Sequence, residues 1–447
     1  MRILIVGGDA AGMSAASQIR RRQPTWTVEV FEMGERTSYG LCGIPYYVGG
    51  LVSNLENLVV MTPEQFERDR GIKVHIRHMV TAVNPARKSV TVKNLADGQS
   101  RDENYDQLLL ATGAAPLIPA GLEPGVPGLF YIRGLDDAGR IRQAAAHART
   151  AVVVGGGYIG LEVAENLAHD GLKVTLIGRR VANVFEPELQ SLAQASLVKG
   201  GVNYLPGSEA VGAAAHPDGG VAVKLAGGET VQGDLVVVGA GVRPRSELAA
   251  EAGLALGEKK AVQVDRLQRT SNPFIFAAGD CAETHHLVTK KGVYIPLALP
   301  ANRHGKVAGL NICGQSEKSQ PVLGTSALKV FDLGLARTGL GLDEAIKAGF
   351  RSAVKTVVKQ RSKPGYFPGS GEVTVAVIYD KITGRLLGGQ MAGPPDGVGH
   401  RINTLAAAIT GAMTVKEAAA IETAYAPPFS VVYDPVIIAC EVAEKSR

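Results

Sequence analysis

Short apolar runs alternate with amphipathic stretches along this chain, and two segments share one design. Arg2-Ile3-Leu4-Ile5-Val6 reads as a buried strand that ends in Gly7-Gly8-Asp9-Ala10-Ala11-Gly12. Apolar positions then recur with helical spacing to about Arg22, and a second strand, Thr27 to Phe31, ends at Glu32. The order returns further on: Ala151-Val152-Val153-Val154, then Gly155-Gly156-Gly157-Tyr158-Ile159-Gly160, a helix to about His169, and a strand from Lys173 to Ile177. Strand, glycine turn, helix and strand make a nucleotide-binding βαβ unit, so two α/β domains are predicted. Further strands with glycines at their ends fall at Gln107–Ala111, Leu235–Val238 and Phe274–Ala278. From about Gln320 the pattern changes. Glu372–Tyr379 reads as an alternating antiparallel strand and Val398–Thr410 as a helix, which predicts a separate α+β domain.

A helix that starts after a tight glycine turn offers unpaired N–H groups and partial positive charge to a pyrophosphate. Gly155, Gly157 and Gly160 fit G-x-G-x-x-G in full strand-turn-helix context. The first turn departs from the pattern, because Asp9 stands where the middle glycine belongs, and its side chain is expected to point away from the phosphates. Glu32, twenty residues beyond Gly12, occupies the place of a ribose-binding carboxylate. After the second unit's second strand that acid is replaced by Gly178-Arg179-Arg180. Two guanidiniums there suit a 2′-phosphate, which favours NADPH, with NADH as the other option.

At 447 residues the chain is too long for one simple core. Its 45% apolar and 20% charged residues fit an ordinary soluble protein. A net charge of +5 does not call for nucleic acid, although Arg20-Arg21-Arg22 forms a compact basic run suited either to a solvated helix end or to an anionic substrate. The four cysteines, Cys42, Cys281, Cys313 and Cys440, are widely spaced, so neither a metal site nor a disulfide framework is expected. That usage fits a reducing cytoplasm, and no leader or membrane-spanning run is read from the sequence. Cys42 is the exception among the thiols: it lies in Ser38-Tyr39-Gly40-Leu41-Cys42-Gly43-Ile44-Pro45-Tyr46-Tyr47, just beyond the first glycine turn, without a second cysteine nearby. Cys281, Cys313 and Cys440 read as small core residues.

Taken in order, Gly7, Gly8, Ala11 and Gly12 with Glu32, Ala111-Thr112-Gly113, Gly155 to Glu162, Gly239-Ala240-Gly241-Val242-Arg243-Pro244 and Ala278-Gly279-Asp280 resemble the pyridine nucleotide–disulfide oxidoreductase superfamily along the whole chain. The resemblance implies two Rossmann-like domains, one for FAD and one for NAD(P)H, and a C-terminal α+β dimerisation domain. The corresponding divisions are FAD-binding residues 1–113 and 245–319, NAD(P)H-binding residues 114–244 and interface residues 320–447. It also implies that Asp280 binds the flavin ribityl chain and that Tyr158, Ile159 and Glu162 line the nicotinamide pocket.

Within the superfamily, Ser38-x-x-x-Cys42-Gly43-x-Pro45-Tyr46-Tyr47 is similar to the coenzyme A-disulfide reductase branch. That branch implies a coenzyme A site at Ser14, Gln18, Arg21, Ser38, Arg70, Asn302 and Tyr433, with Tyr425 and Tyr366 of a partner subunit near the flavin and Cys42. The implied chemistry passes electrons from NADPH through FAD to Cys42, which alternates between a thiolate and a mixed disulfide with coenzyme A. A helix beginning after Cys42, with Gly43 and Pro45 in its first turn, would favour the thiolate. Coenzyme A persulfide or polysulfide is the second substrate option, weakened by the end of the chain at Arg447 without a rhodanese domain. The other options are an NAD(P)H oxidase, and an electron carrier to a ferredoxin or rubredoxin, which would need no redox cysteine. Similar oxidases and peroxidases carry a histidine in the first glycine turn, where this chain has Ala10.

Overall fold

A computed structural model of the protein describes residues 1–447. Two five-stranded parallel sheets form its nucleotide-binding parts. In the first, the strand order is Ile275–Ala277, Gln107–Leu110, Arg2–Val6, Thr27–Phe31 and Lys73–His75. In the second it is Leu129–Tyr131, Leu235–Val238, Thr150–Val154, Lys173–Gly178 and Asn203–Pro206. Each central strand is apolar and fully covered, as a parallel sheet with helices on its faces requires.

The helix after the first glycine turn, Ala10–Arg22, packs against helix Ala298–Ile312. The approach depends on Gly305, where a Cβ would stand 2.1 Å from the carbonyl oxygen of Ala11. This pairing sets Asn302, Arg303 and Lys306 across from Ser14 and Arg21.

The C-terminal part is a five-stranded antiparallel sheet covered on one face by helices Pro395–Thr410 and Pro435–Lys445. Its strand Glu372–Asp380 corrects the sequence reading: alternation predicts a half-buried strand, but Val373 to Tyr379 are all buried. The second face lies against the NAD(P)H-type unit, whose helix Pro187–Lys199 packs on it. Leu328, Val330, Leu335, Ala376 and Ala392 accordingly share a core with the helices of that unit. Polar contacts reinforce the seam. Gln390 Oε1 accepts from the Glu186 amide at 2.6 Å, and Lys355 bridges Glu186 and Glu188 at 2.9 and 2.8 Å. No helix is long and apolar enough to cross a membrane.

Candidate active site

Three loops meet at the carboxyl ends of the first sheet: the turn Gly7–Gly12, Thr112-Gly113 after strand Gln107–Leu110, and Gly279-Asp280 after strand Ile275–Ala277. Ligands of open parallel sheets bind in this position. The turn has no room for side chains at its tightest point, since a Cβ on Gly12 would lie 1.9 Å from the Gly7 carbonyl oxygen. Ala11 is buried beneath it. Glu32 braces the turn, its two carboxylate oxygens each accepting one amide, from Gly8 and from Gly34, at 2.7 Å. Each oxygen keeps a lone pair for a ribose hydroxyl. The Asp9 carboxylate reaches instead to the Tyr39 amide at 3.2 Å, tying the turn to the loop before Cys42. Burial, with Glu32 close by, raises its pKa to about 6.

Asp280 is held by Arg133, whose Nη2 lies 2.9 Å from Oδ2 while its Nε donates to the Ala114 carbonyl. Sequence reading passed over Arg133 because it follows strand Leu129–Tyr131 in a segment without a recognisable motif. Thr112 turns its hydroxyl to the carbonyl of Arg245 at 2.5 Å. These residues fit a flavin dinucleotide: a tight glycine cradle, a free helix N-terminus, an acid with lone pairs to spare and a cation beside Asp280.

The second turn repeats the close approach, with a Cβ on Gly160 falling 1.8 Å from the Gly155 carbonyl oxygen. Beside Gly157 there is open space where Asp9 stands in the first copy. Arg179 and Arg180 follow the strand Lys173–Gly178, are exposed, and make no side-chain ion pair or hydrogen bond, so both guanidiniums are free for a ligand. Gly241 lies beyond strand Leu235–Val238 with positive φ and open surroundings. Tyr158 bonds Ser326 of the C-terminal sheet at 2.7 Å and leans on Phe185, so Tyr158 and Ile159 sit at the junction of two domains. Glu162, one turn on, is raised to about 7 by burial and by Glu165, whose carboxylate is paired with Lys329.

Cys42 is an exposed free thiol in a one-turn 3₁₀ segment, Leu41–Gly43. The α-helix that follows starts at Ile44, spans Ile44–Val48 with Pro45 in its first turn, and has Gly43 as its N-cap. Ile44 and Val48 bury this turn against the NAD(P)H-type unit, and Arg142 donates to the Tyr47 carbonyl. The expected thiolate stabilisation is not what the protein chain alone provides. Partial desolvation is the largest cause of an upward shift of the thiol, and Glu162, Asp280 and Asp9 add to it against Arg133. Helix Ile44–Val48 is too short to outweigh burial and these carboxylates. Cys281 and Cys440 are buried, whereas Cys313 is only partly covered, beside the first unit's core.

A cavity of about 570 Å³ opens between helices Ala10–Arg22 and Ala298–Ile312, and Ser38, on the loop that leads to Cys42, is the lining residue nearest the thiol in sequence. Ser14, Arg21, Ser38, Arg70 and Asn302 all line it. Ser14 donates to Asn302 at 2.9 Å across the two helices. Arg70 is set by a 2.6 Å bond to Ser17 and by the Phe66 ring 5.2 Å from its guanidinium. Gln18 is buried rather than lining, and accepts from Arg21 at 2.9 Å, so it props the cation. Arg20 is likewise no ligand group, since it is spent on the carbonyls of Pro24 and Trp26. Of the basic run only Arg21 faces the cavity. Arg303 and Lys306 also line it, and sequence reading overlooked them because one basic pair on a helix carries no motif.

Tyr366, Tyr425 and Tyr433 are away from this cavity, exposed at 77%, 44% and 63%. Hydrogen bonding to Tyr366 is the largest cause of the raised Tyr425 phenol. Phe429 and Val432 are exposed in the same segment, leaving an apolar surface on the C-terminal part. No cluster of His, Cys, Asp or Glu could hold a metal ion.

The family model for pyridine nucleotide-disulphide oxidoreductase matches residues 1–305, and the dimerisation-domain model of the same family matches residues 325–435. The chain is 38% identical to the NAD(P)H sulfur oxidoreductase (CoA-dependent) of Pyrococcus abyssi, over 98% of this chain and 97% of that protein. It is 32% identical to an NADH oxidase of Methanocaldococcus jannaschii, covering 100% and 99%, and 31% identical to the coenzyme A disulfide reductase of Staphylococcus epidermidis, covering 96% of each. Among solved structures, the NAD-dependent persulfide reductase from A. fulgidus superposes with a TM-score of 0.95 at 36% identity, over 100% of this chain and 84% of that one.

Proposed function

The chain belongs to the pyridine nucleotide-disulphide oxidoreductase family, and on that premise we propose that it reduces coenzyme A disulfide with NAD(P)H through the single thiol of Cys42. The observation that carries this reading is the cavity lined by hydroxyls and cations, with Ser38 in its wall four residues before the thiol. Relatives named for coenzyme A and sulfur chemistry support it.

When bound, FAD supplies the two-electron link between a nicotinamide and a sulfur. Gly7–Gly12, Glu32, Thr112, Gly113, Gly279 and Asp280 would hold it, with Arg133 neutralising Asp280. Gly155–Gly160 would seat NAD(P)H, and Arg179 and Arg180 would bind a 2′-phosphate. Cys42 rests as a mixed disulfide with coenzyme A. Two electrons break that bond, one coenzyme A thiol leaves with a proton, and Cys42 remains as thiolate. The thiolate attacks a coenzyme A disulfide, the S–S bond opens, and the second coenzyme A departs as the mixed disulfide re-forms. One NAD(P)H and one proton are consumed for two thiols released. Tyr425, with Tyr366 beside it, would protonate the departing sulfur when a second copy of the chain brings its C-terminal surface to the site, which makes the enzyme a homodimer with shared sites.

The test is anaerobic NADPH oxidation with coenzyme A disulfide as sole acceptor, on the FAD-loaded enzyme and on Cys42→Ser. Rapid turnover that disappears in the variant is expected. Turnover that begins only when air is admitted would replace this reading by reduction of oxygen through flavin and Cys42, the reaction type named for the Methanocaldococcus relative. Faster turnover on coenzyme A persulfide would move the substrate, but not the site.

A further inference from the structure

The cavity holds more cations than its motifs account for. Arg303 and Lys306 lie three residues apart on helix Ala298–Ile312, so both side chains leave the same helix face. Across from them stand Arg21 and Arg70. Arg21 and Arg70 bond only neutral groups, Gln18 and Ser17, and Arg303 and Lys306 make no side-chain hydrogen bond or ion pair at all. Elsewhere on the molecule Arg2, Arg36 and Lys355 each find carboxylates. Four cations converging on one cavity with no acid among its lining residues create a site for several negative charges.

The two pairs also differ in character. Arg21 and Arg70 are braced before any ligand arrives, by Gln18, Ser17 and the Phe66 ring. Arg303 and Lys306 are exposed and unbraced, on the opposite wall. A disulfide carrying a single phosphate, or none, leaves one wall unmatched. A nucleotide thiol with two separate phosphate groups matches both, and the apolar side chains of Val60, Met61 and Phe66 cover its uncharged parts.

We infer that Arg303 and Lys306 are specificity-determining residues that grip one of the two phosphate groups of coenzyme A, while Arg21 and Arg70 grip the other. This inference rests on the coenzyme A reading of the cavity. It makes the second pair the device that separates coenzyme A disulfide from small disulfides of the same reactivity.

The experiment compares kcat/KM for coenzyme A disulfide and for pantethine, which offers the same disulfide without nucleotide or phosphate. The FAD-loaded enzyme is measured beside the double variant Arg303→Met, Lys306→Met. Two charge-assisted contacts are removed, so the preference for coenzyme A disulfide should fall about tenfold or more. The charge-conserving Arg303→Lys, Lys306→Arg should retain most of it, and added salt should erode the wild-type preference. Calorimetric titration with reduced coenzyme A must show the same order of affinities. An unchanged preference in the Met variant, or an equal loss on both substrates, overturns the assignment. Wild-type enzyme that binds coenzyme A, but does not turn over its disulfide, refutes the proposed reaction alone. In that case the cation assignment stands or falls on the titration.

Discussion

The two nucleotide-binding units place their central strands alike: Arg2–Val6 lies between strands Gln107–Leu110 and Thr27–Phe31, and Thr150–Val154 between Leu235–Val238 and Lys173–Gly178. Both turns press a glycine against a backbone carbonyl, at 1.9 Å for a Cβ on Gly12 and 1.8 Å on Gly160. They differ in the middle position. Gly157 leaves open space, while Asp9 fills it and sends its carboxylate to the Tyr39 amide. They differ again at the second strand, where Glu32 is locked to two amides and Arg179-Arg180 stand free. The first unit is thus cross-braced to the cysteine loop, as suits a ligand that stays, and the second is open, as suits one that comes and goes.

Breaking each turn separately is the strongest way to test that contrast. Gly12→Ala forces a Cβ into backbone and should cost about 1–3 kcal/mol, with roughly tenfold or greater loss of bound FAD read from the flavin absorbance. Gly160→Ala meets the same obstacle, yet should spare flavin content and raise KM for NAD(P)H. Flavin loss in both variants would mean that the turns do not act independently.

A smaller effect sharpens the difference at the second strand. Arg179→Ala with Arg180→Ala should raise KM for NADPH by about tenfold to a hundredfold and change that for NADH far less, as expected for charged hydrogen bonds to a 2′-phosphate. Equal changes for the two nucleotides in steady-state assays would remove the arginines from that role.

The last test concerns Asp9 and reads stability alone. Burial raises its carboxyl to about 6 in the folded chain from an ordinary value of 3.8. The folded state therefore prefers the protonated form. Its relative stability is greatest below the unfolded pKa and is lost as pH rises through about 6. Asp9→Asn keeps an oxygen for the Tyr39 amide without the charge. It should gain about 1–3 kcal/mol over the wild type at pH 7.5 and much less at pH 4 in urea unfolding. A gain that does not depend on pH would show that charge at Asp9 is not the cause.

Much of this was legible along the chain because local rules govern it. A parallel strand buried on both faces must be apolar, and a phosphate turn must be glycine-rich, so Ile3–Val6, Gly155–Gly160 and Arg179-Arg180 declared themselves. Cys42 stands out by its neighbours, and Ser14, Arg21, Ser38, Arg70 and Asn302 are legible only through the family resemblance. Packing decided the rest. Arg20 and Arg21 are adjacent and chemically identical, but helix geometry turns one to backbone carbonyls and the other to the cavity. Gln18 became a prop because its position on helix Ala10–Arg22 is inward. Val373 to Tyr379 lose their exposed side to packing, since most join the C-terminal core while Ala376 enters the core shared with the NAD(P)H-type unit.

By itself, then, the sequence determined the two nucleotide units and the lone thiol, since these follow from residue type and short spacing, while the coenzyme A reading came through family resemblance. Only the tertiary structure decided that helix Ala298–Ile312 lies on helix Ala10–Arg22, so that Arg303 and Lys306 face Arg21 across one cavity. It also decided that Arg133 meets Asp280 and that burial, joined by carboxylates from distant segments, raises the Cys42 thiol. Charges act through space over several ångströms, and pairings separated by 147 residues leave no local trace in the order of the chain.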